Sequence, residues 1–157
     1  MTNIARLLTI IFVSISYIIL GKLSISYITM PQGIAIVWLP NALILATFLL
    51  KEKKEWLLFI FVFLISEIIA DLGSFTLIQS LQFGFINVCE GLLSTLLIKK
   101  LNKNSVNFQN IKYVITFISI ALITIPAFSA LFGALVYKTQ IENNNKFFAI
   151  LENLVFW

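Results

Sequence analysis

A chain of 157 residues with 60% apolar and 11% charged side chains cannot coat a soluble domain, where charge runs at roughly a quarter of the composition. Its mean hydropathy of +1.00 places it in a bilayer as an integral membrane protein. The excess of 11 Lys and Arg over 7 Asp and Glu comes with no basic stripe or aromatic-basic module, so no nucleic-acid partner is expected; one Cys and no His leave nothing for a disulfide, a metal site or histidine-based catalysis.

In chain order, apolar windows of membrane-spanning length run from Leu7 to Tyr27, Gly33 to Leu50, Trp56 to Asp71, Leu81 to Ile98 and Tyr113 to Val136. A sixth starts near Phe147 and reaches Trp157, about half the roughly 20 residues that a crossing needs. The windows predict an all-α, polytopic transmembrane helix bundle with five complete spans and a sixth that is truncated or partial. The whole of residues 1–157 reads as one membrane-embedded domain, expected to be incomplete at its C-terminus. The runs are continuous rather than alternating, which excludes a membrane β-barrel. Arg6 precedes the first window, but no small-residue cleavage site follows it, so this segment reads as an uncleaved helix. Cys89 falls in an apolar run and is expected to pack in the core.

Loop charge sets the expected orientation. Arg6, Lys51, Lys53, Lys54, Lys99, Lys100, Lys103 and Lys112 fall on one side, against Lys22, Lys138 and Lys146 on the other. Cytoplasmic loops carry the excess of Lys and Arg, which predicts a cytoplasmic amino terminus.

Polar residues inside the apolar runs are the candidates for function. A charge at mid-membrane costs roughly 2.5 to 3.5 kcal/mol on insertion scales, so such residues normally face a protein-lined pocket or pathway. Glu67 and Asp71 are spaced i, i+4, while Asn87, Glu90 and Ser94 follow i, i+3, i+7, so each set forms one stripe on its helix. Counted from the basic ends, Glu67 and Asn87 are predicted to lie level on antiparallel spans. If the stripes face each other, Glu67 and Glu90 crowd and compete for a shared proton. Lys22 is the expected counter-charge of Asp71. The competing reading is that these groups only hold helices together, at about 0.6 kcal/mol per hydrogen bond. Pro40 and Pro126, read as lying well inside their spans, are expected to kink them and free backbone carbonyls near Trp38 and Asn41. Ser129, Ala130, Gly133 and Ala134 are expected to allow close helix packing, and Trp38 could equally anchor at the interface.

The run Val37-Trp38-Leu39-Pro40-Asn41-Ala42, with its apolar continuation to Leu50, resembles the tryptophan-proline signature of the membrane-associated sensor domain of the first type, the MASE family. Asn87-Val88-Cys89-Glu90-Gly91-Leu92-Leu93, closing on Lys99-Lys100-Leu101, resembles that family's asparagine-x-x-glutamate helix. Tyr17 to Lys22 and Ser129-Ala130-Leu131-Phe132-Gly133 are weaker echoes in the same order. Asn41 stands where the family more often has alanine, then glycine, after the proline. The resemblance implies a bacterial inner-membrane sensory input module, usually fused to a histidine kinase, diguanylate cyclase or phosphodiesterase.

The expected partners are therefore the lipid bilayer and a cytoplasmic signalling output, with a small-molecule ligand and a homodimer also open. The candidate ligand-binding residues are Lys22, Trp38, Asn41, Glu67, Asp71, Asn87 and Glu90. No cofactor, metal or catalytic residue is assigned, because no nucleophile with a base, metal cluster or phosphate loop is present. The alternative is the substrate-binding membrane subunit of a small-solute, vitamin-type transporter, for which acids beside kinked helices also suit. A third reading is an assembly partner whose polar residues only pack helices.

Overall fold

A computed structural model describes residues 3–27, 37–102 and 106–138. It is all-helical among these residues: α1 (Asn3–Tyr27), α2 (Pro40–Leu50), α3 (Lys53–Asp71), α4 (Leu77–Leu101), α5 (Ile111–Ile118) and α6 (Ile125–Lys138). α5 and α6 are joined without a break by a π turn, Ser119–Thr124. α4 is the hub, packing on α2, α3, α6 and the π turn, while α1 lies against α3 and α2.

Three helices, Ile4–Tyr27, Leu77–Leu101 and Ile111–Val136, are long and apolar enough to cross a membrane, rather than the five expected. α2 has only 11 residues, a rise of about 16 Å against a hydrocarbon core of about 30 Å. α3 has 19 residues, but Lys53, Lys54, Glu55, Glu67 and Asp71 make it too charged to qualify by composition. The expected sixth segment, Lys103 and Lys146 lie outside the described residues.

Pro40 is corrected from a kink to a helix start. It occupies the first turn of α2, where its missing N–H would have had no partner and its fixed φ favours the helix. Pro126 does sit inside a rod, and the π turn directly before it is its local accommodation. Proline cannot donate to the carbonyl four residues back and clashes with it. Widening the preceding turn moves that carbonyl away: the Ile125 N–H donates to Ile120 O, five residues back, and Thr124 Oγ1 donates to Ser119 O at 2.7 Å.

The core is aromatic. Tyr17, Phe48, Phe59 and Phe63 are fully buried, with ring centroids 5.5 Å apart for Tyr17–Phe63 and 5.9 Å for Phe48–Phe63. Leu8, Phe12, Ile15 and Ile19 of α1 instead point outward, as expected where lipid is the solvent. Two contacts fix the polarity of the rods. Arg6 at the start of α1 meets Glu55 at the start of α3 at 3.7 Å. Near the end of α4, the Lys99 ammonium donates to Phe48 O of α2 at 3.0 Å and lies 5.3 Å from the Trp56 ring centroid. The amino ends of α1 and α3 and the carboxyl ends of α2 and α4 therefore share one end of the bundle, which gathers Arg6, Lys51, Lys53, Lys54, Lys99 and Lys100.

Candidate functional site

The polar residues of the apolar runs are drawn inward, but they form two groups rather than one patch. The first joins α1, α3 and α4. Glu67 is buried and accepts two hydrogen bonds, from Tyr17 Oη on Oε2 at 2.6 Å and from Asn87 Nδ2 on Oε1 at 2.8 Å. The level placement of Glu67 and Asn87 on antiparallel rods makes this bond possible. Gly84, one turn before Asn87, lets α4 close on α3: a Cβ there would lie 3.2 Å from Glu67 Cγ. On the α1 side the Trp38 indole lies beside the Tyr17 hydroxyl and over Gly21, where a Cβ would stand 3.6 Å from its ring.

The second group joins α2 and α4. Asn41 Nδ2 donates to Glu90 Oε1 at 2.9 Å. Glu90 is thus turned to α2 rather than to Glu67, and the expected sharing of a proton between these two acids is corrected: each is hydrogen-bonded into a different pair. The reason is helical geometry. Asn87 and Glu90 are three residues apart, about 300° of turn, and α4 is flanked by α3 on one side and α2 on the other. The rods meet closely at Gly91, where a Cβ would collide with Ile44 Cγ2 and approach Ile44 Cβ to 3.2 Å.

Lys22 stands near Asp71 as its expected counter-charge but makes no direct ion pair with it: its ammonium donates to the backbone oxygen of Leu72 at 2.9 Å, one residue beyond Asp71. The backbone oxygen is available because α3 ends there and its last carbonyls have no intrahelical donor. Cys89, expected in the core, is half-buried and lines a groove between α4 and α6.

Two concavities flank Glu90. The larger, about 810 Å³, is the α4–α6 groove, walled by Leu81, Phe85, Phe128 and Phe132 with Gln82, Glu90 and Ser129 as polar points. The smaller, about 370 Å³, lies between α2, α4 and the π turn; Trp38, Asn41, Glu90, Ser94, Ala121 and Pro126 are among its walls. Trp38, Asn41 and Glu90 of the sequence candidates meet there, whereas Lys22, Glu67, Asp71 and Asn87 lie outside its lining.

A family model described as MASE1 matches residues 7–151. The chain belongs to the MASE1 family. No curated protein matches it, and no solved structure does. MASE1 domains are membrane-associated sensor domains, sensory rather than catalytic, which with the apolar helices makes this an integral membrane protein of sensory type. Both motifs that carry the resemblance take part in one contact of this MASE1 chain, since Asn41 of the first bonds Glu90 of the second.

Sequence reasoning missed Tyr17, Gly84 and the π turn as parts of the site. Tyr17 had a signal: Val13, Tyr17 and Ser24 recur at helical spacing with Gly21 between, and all lie on the buried face of α1. Ser24 Oγ accepts from the Leu39 N–H at 3.2 Å and ties that face to the start of α2. The π turn had a weaker one, Thr124 followed closely by Pro126.

Proposed function

We propose that this MASE1 chain is the sensory input module of a bacterial inner-membrane signalling protein. It holds a small ligand in the cavity between α2, α4 and the π turn and relays occupancy to a cytoplasmic output, a histidine kinase or cyclic-di-GMP enzyme, fused or associated. In this reading the basic end of the bundle is cytoplasmic and the amino terminus lies there. One observation carries the proposal: Trp38, Leu39 and Asn41 of the tryptophan-proline signature line a cavity that Glu90 of the second motif also lines. Its volume of about 370 Å³ suits a small metabolite.

The mechanism follows from what occupancy would do to the Asn41–Glu90 bond. A ligand that donates to Glu90 competes with Asn41 and so favours a packing in which α2 and α4 are spaced differently. It shifts the equilibrium only by its differential affinity for the two packings. Ala121 and Pro126 place the same cavity against the π turn, so the change reaches the rod whose first residue, Ile111, starts from the basic end.

The test compares transcript profiles and cyclic-di-GMP levels in cells producing the wild type, Asn41→Ala or Glu90→Gln at matched membrane abundance. Both variants are expected to shift one common set of transcripts several-fold, the range of typical coupling energies. Unchanged transcripts and cyclic-di-GMP together with reduced uptake of a solute would instead support the transporter reading.

A further inference from the structure

The cavity between α2, α4 and the π turn carries charge of one sign. Among the described residues lining it, Glu90 is the one ionisable side chain, and there is no lysine or arginine. Glu90 is 8% exposed, and its partners are neutral donors: Asn41 Nδ2 at 2.9 Å and the Ser129 hydroxyl beside it. It pairs with no lysine or arginine among the described residues. A buried carboxylate without a counter-charge is costly, and a cation arriving with the ligand offsets that cost. An anionic ligand would instead bring a second negative charge into a site of low dielectric.

The other polar groups of the cavity are better acceptors than donors. Asn41 gives its amide to Glu90, and its Oδ1 is buried without a partner. Pro126 leaves a further acceptor on the backbone. The Ile125 N–H donates to Ile120 O and Pro126 has no N–H, so Ala121 O has neither of the donors, four and five residues on, that a helix or a π turn would give it. Ala121 and Pro126 both line the cavity, and Ser94 adds a hydroxyl that serves either way. An ammonium group has three donors and no acceptor, which matches the Glu90 carboxylate, Asn41 Oδ1 and Ala121 O. Leu39, Leu45 and Leu122 on the same walls call for an apolar body, and about 370 Å³ is far more than a bare ion fills.

We infer that the ligand of this cavity is a small primary alkylammonium ion, its head on Glu90 and its apolar body against the leucines. The inference rests on the sensory reading above in taking this cavity as the ligand site, and adds the chemical class. Glu90 serves in either protonation state: a carboxylate takes the ammonium directly, while a carboxyl group passes its proton to the free amine and the same ion pair results. Once the head group has taken Glu90 Oε1 from Asn41, the released amide turns its Oδ1 to the ammonium. Binding thus rearranges the contact between α2 and α4 rather than only filling space.

The experiment follows the melting temperature of the full chain in detergent with three four-carbon probes at matched ionic strength: butylammonium chloride, sodium butyrate and 1-butanol. Butylammonium is expected to raise it by mass action, and the other two to leave it unchanged. Glu90→Gln keeps the size of the side chain and removes the charge; it should weaken amine binding about thirtyfold or more, as loss of one partner of a buried charge pair does. Glu90→Asp should keep the preference for the amine. Saturable binding of radioactive butylamine to the wild type, displaced by unlabelled butylammonium and not by butyrate, gives a readout that needs no variant to fold. A wild type that neither binds butylammonium nor is stabilised by it, an equal response to all three probes, or an amine response undiminished in Glu90→Gln would overturn the inference. If butyrate or butanol stabilises the wild type instead and Glu90→Gln or Asn41→Ala abolishes the effect, the chemical class falls while the cavity remains the ligand site. A probe response untouched by both variants removes the cavity as well.

Discussion

Replacing Glu67 by alanine is expected to destabilise the bundle by about 2 to 5 kcal/mol, because it strips the acceptor from two buried donors at once. Tyr17 Oη and Asn87 Nδ2 both end on this carboxylate, at 2.6 and 2.8 Å. Each buried donor left without a partner costs about 1 to 3 kcal/mol. In thermal unfolding this corresponds to a fall of roughly 5 to 15 °C for a chain of this size. Glu67→Gln should lose less, since its amide oxygen serves one donor while its NH2 faces the other. A double-mutant cycle with Tyr17→Phe separates the pair from the rest. A coupling of about 1.5 to 3 kcal/mol, the upper part of the range for groups in one network, is expected. A value near the 0.6 kcal/mol average of membrane hydrogen bonds would reduce the cluster to ordinary helix adhesion.

The second large effect belongs to Gly91. An alanine Cβ there meets Ile44 Cγ2 below contact distance, with Ile44 Cβ at 3.2 Å and the Leu45 backbone nitrogen at 3.6 Å. Ile44 is fully buried in the aromatic core, so it has little room to yield and α2 must move off α4. Overpacking of this kind costs about 1 to 3 kcal/mol. The displacement also stretches the Asn41–Glu90 bond, which spans the same interface one residue away on α4. Gly91→Ala should therefore lower the melting temperature and weaken the response of the cavity to its ligand, while Gly91→Leu should prevent folding. Gly73 provides the contrast. Its positive φ of 88° also favours glycine, but a Cβ there meets nothing within 4 Å, so its alanine variant should affect only the local turn.

Much of this arrangement was legible in the chain. The stripe Glu67, Asp71 and the stripe Asn87, Glu90, Ser94 need only the helical period, and the antiparallel register that brings Glu67 to Asn87 needs only counts from the basic ends. What the period cannot give is which neighbour each side of α4 meets. Glu90 was therefore placed against Glu67, although its angular offset from Asn87 turns it to Asn41 on α2. The nearness of Lys22 to Asp71 follows from charge and depth, but its hydrogen bond to the end of α3 does not, because a carbonyl left over at a helix end, such as that of Leu72, is not visible in a sequence. Pro40 shows the same limit. The apolar run continues on both sides of it, so hydropathy reads through the proline, while helix geometry starts there. Gly91 lay inside the second motif, but its demand for close backbone approach depends on Ile44, distant in the chain.

The most direct test of the sensory account is the melting temperature of the detergent-purified chain against sugar phosphates, organic acids, amino acids and vitamins, with Asn41→Ala and Glu90→Gln alongside. A compound that binds only the folded state raises it by mass action. The account predicts at least one compound class that stabilises the wild type and fails to stabilise either variant. A compound that stabilises the wild type and both variants equally would contradict it, by placing the ligand away from the Asn41–Glu90 cavity.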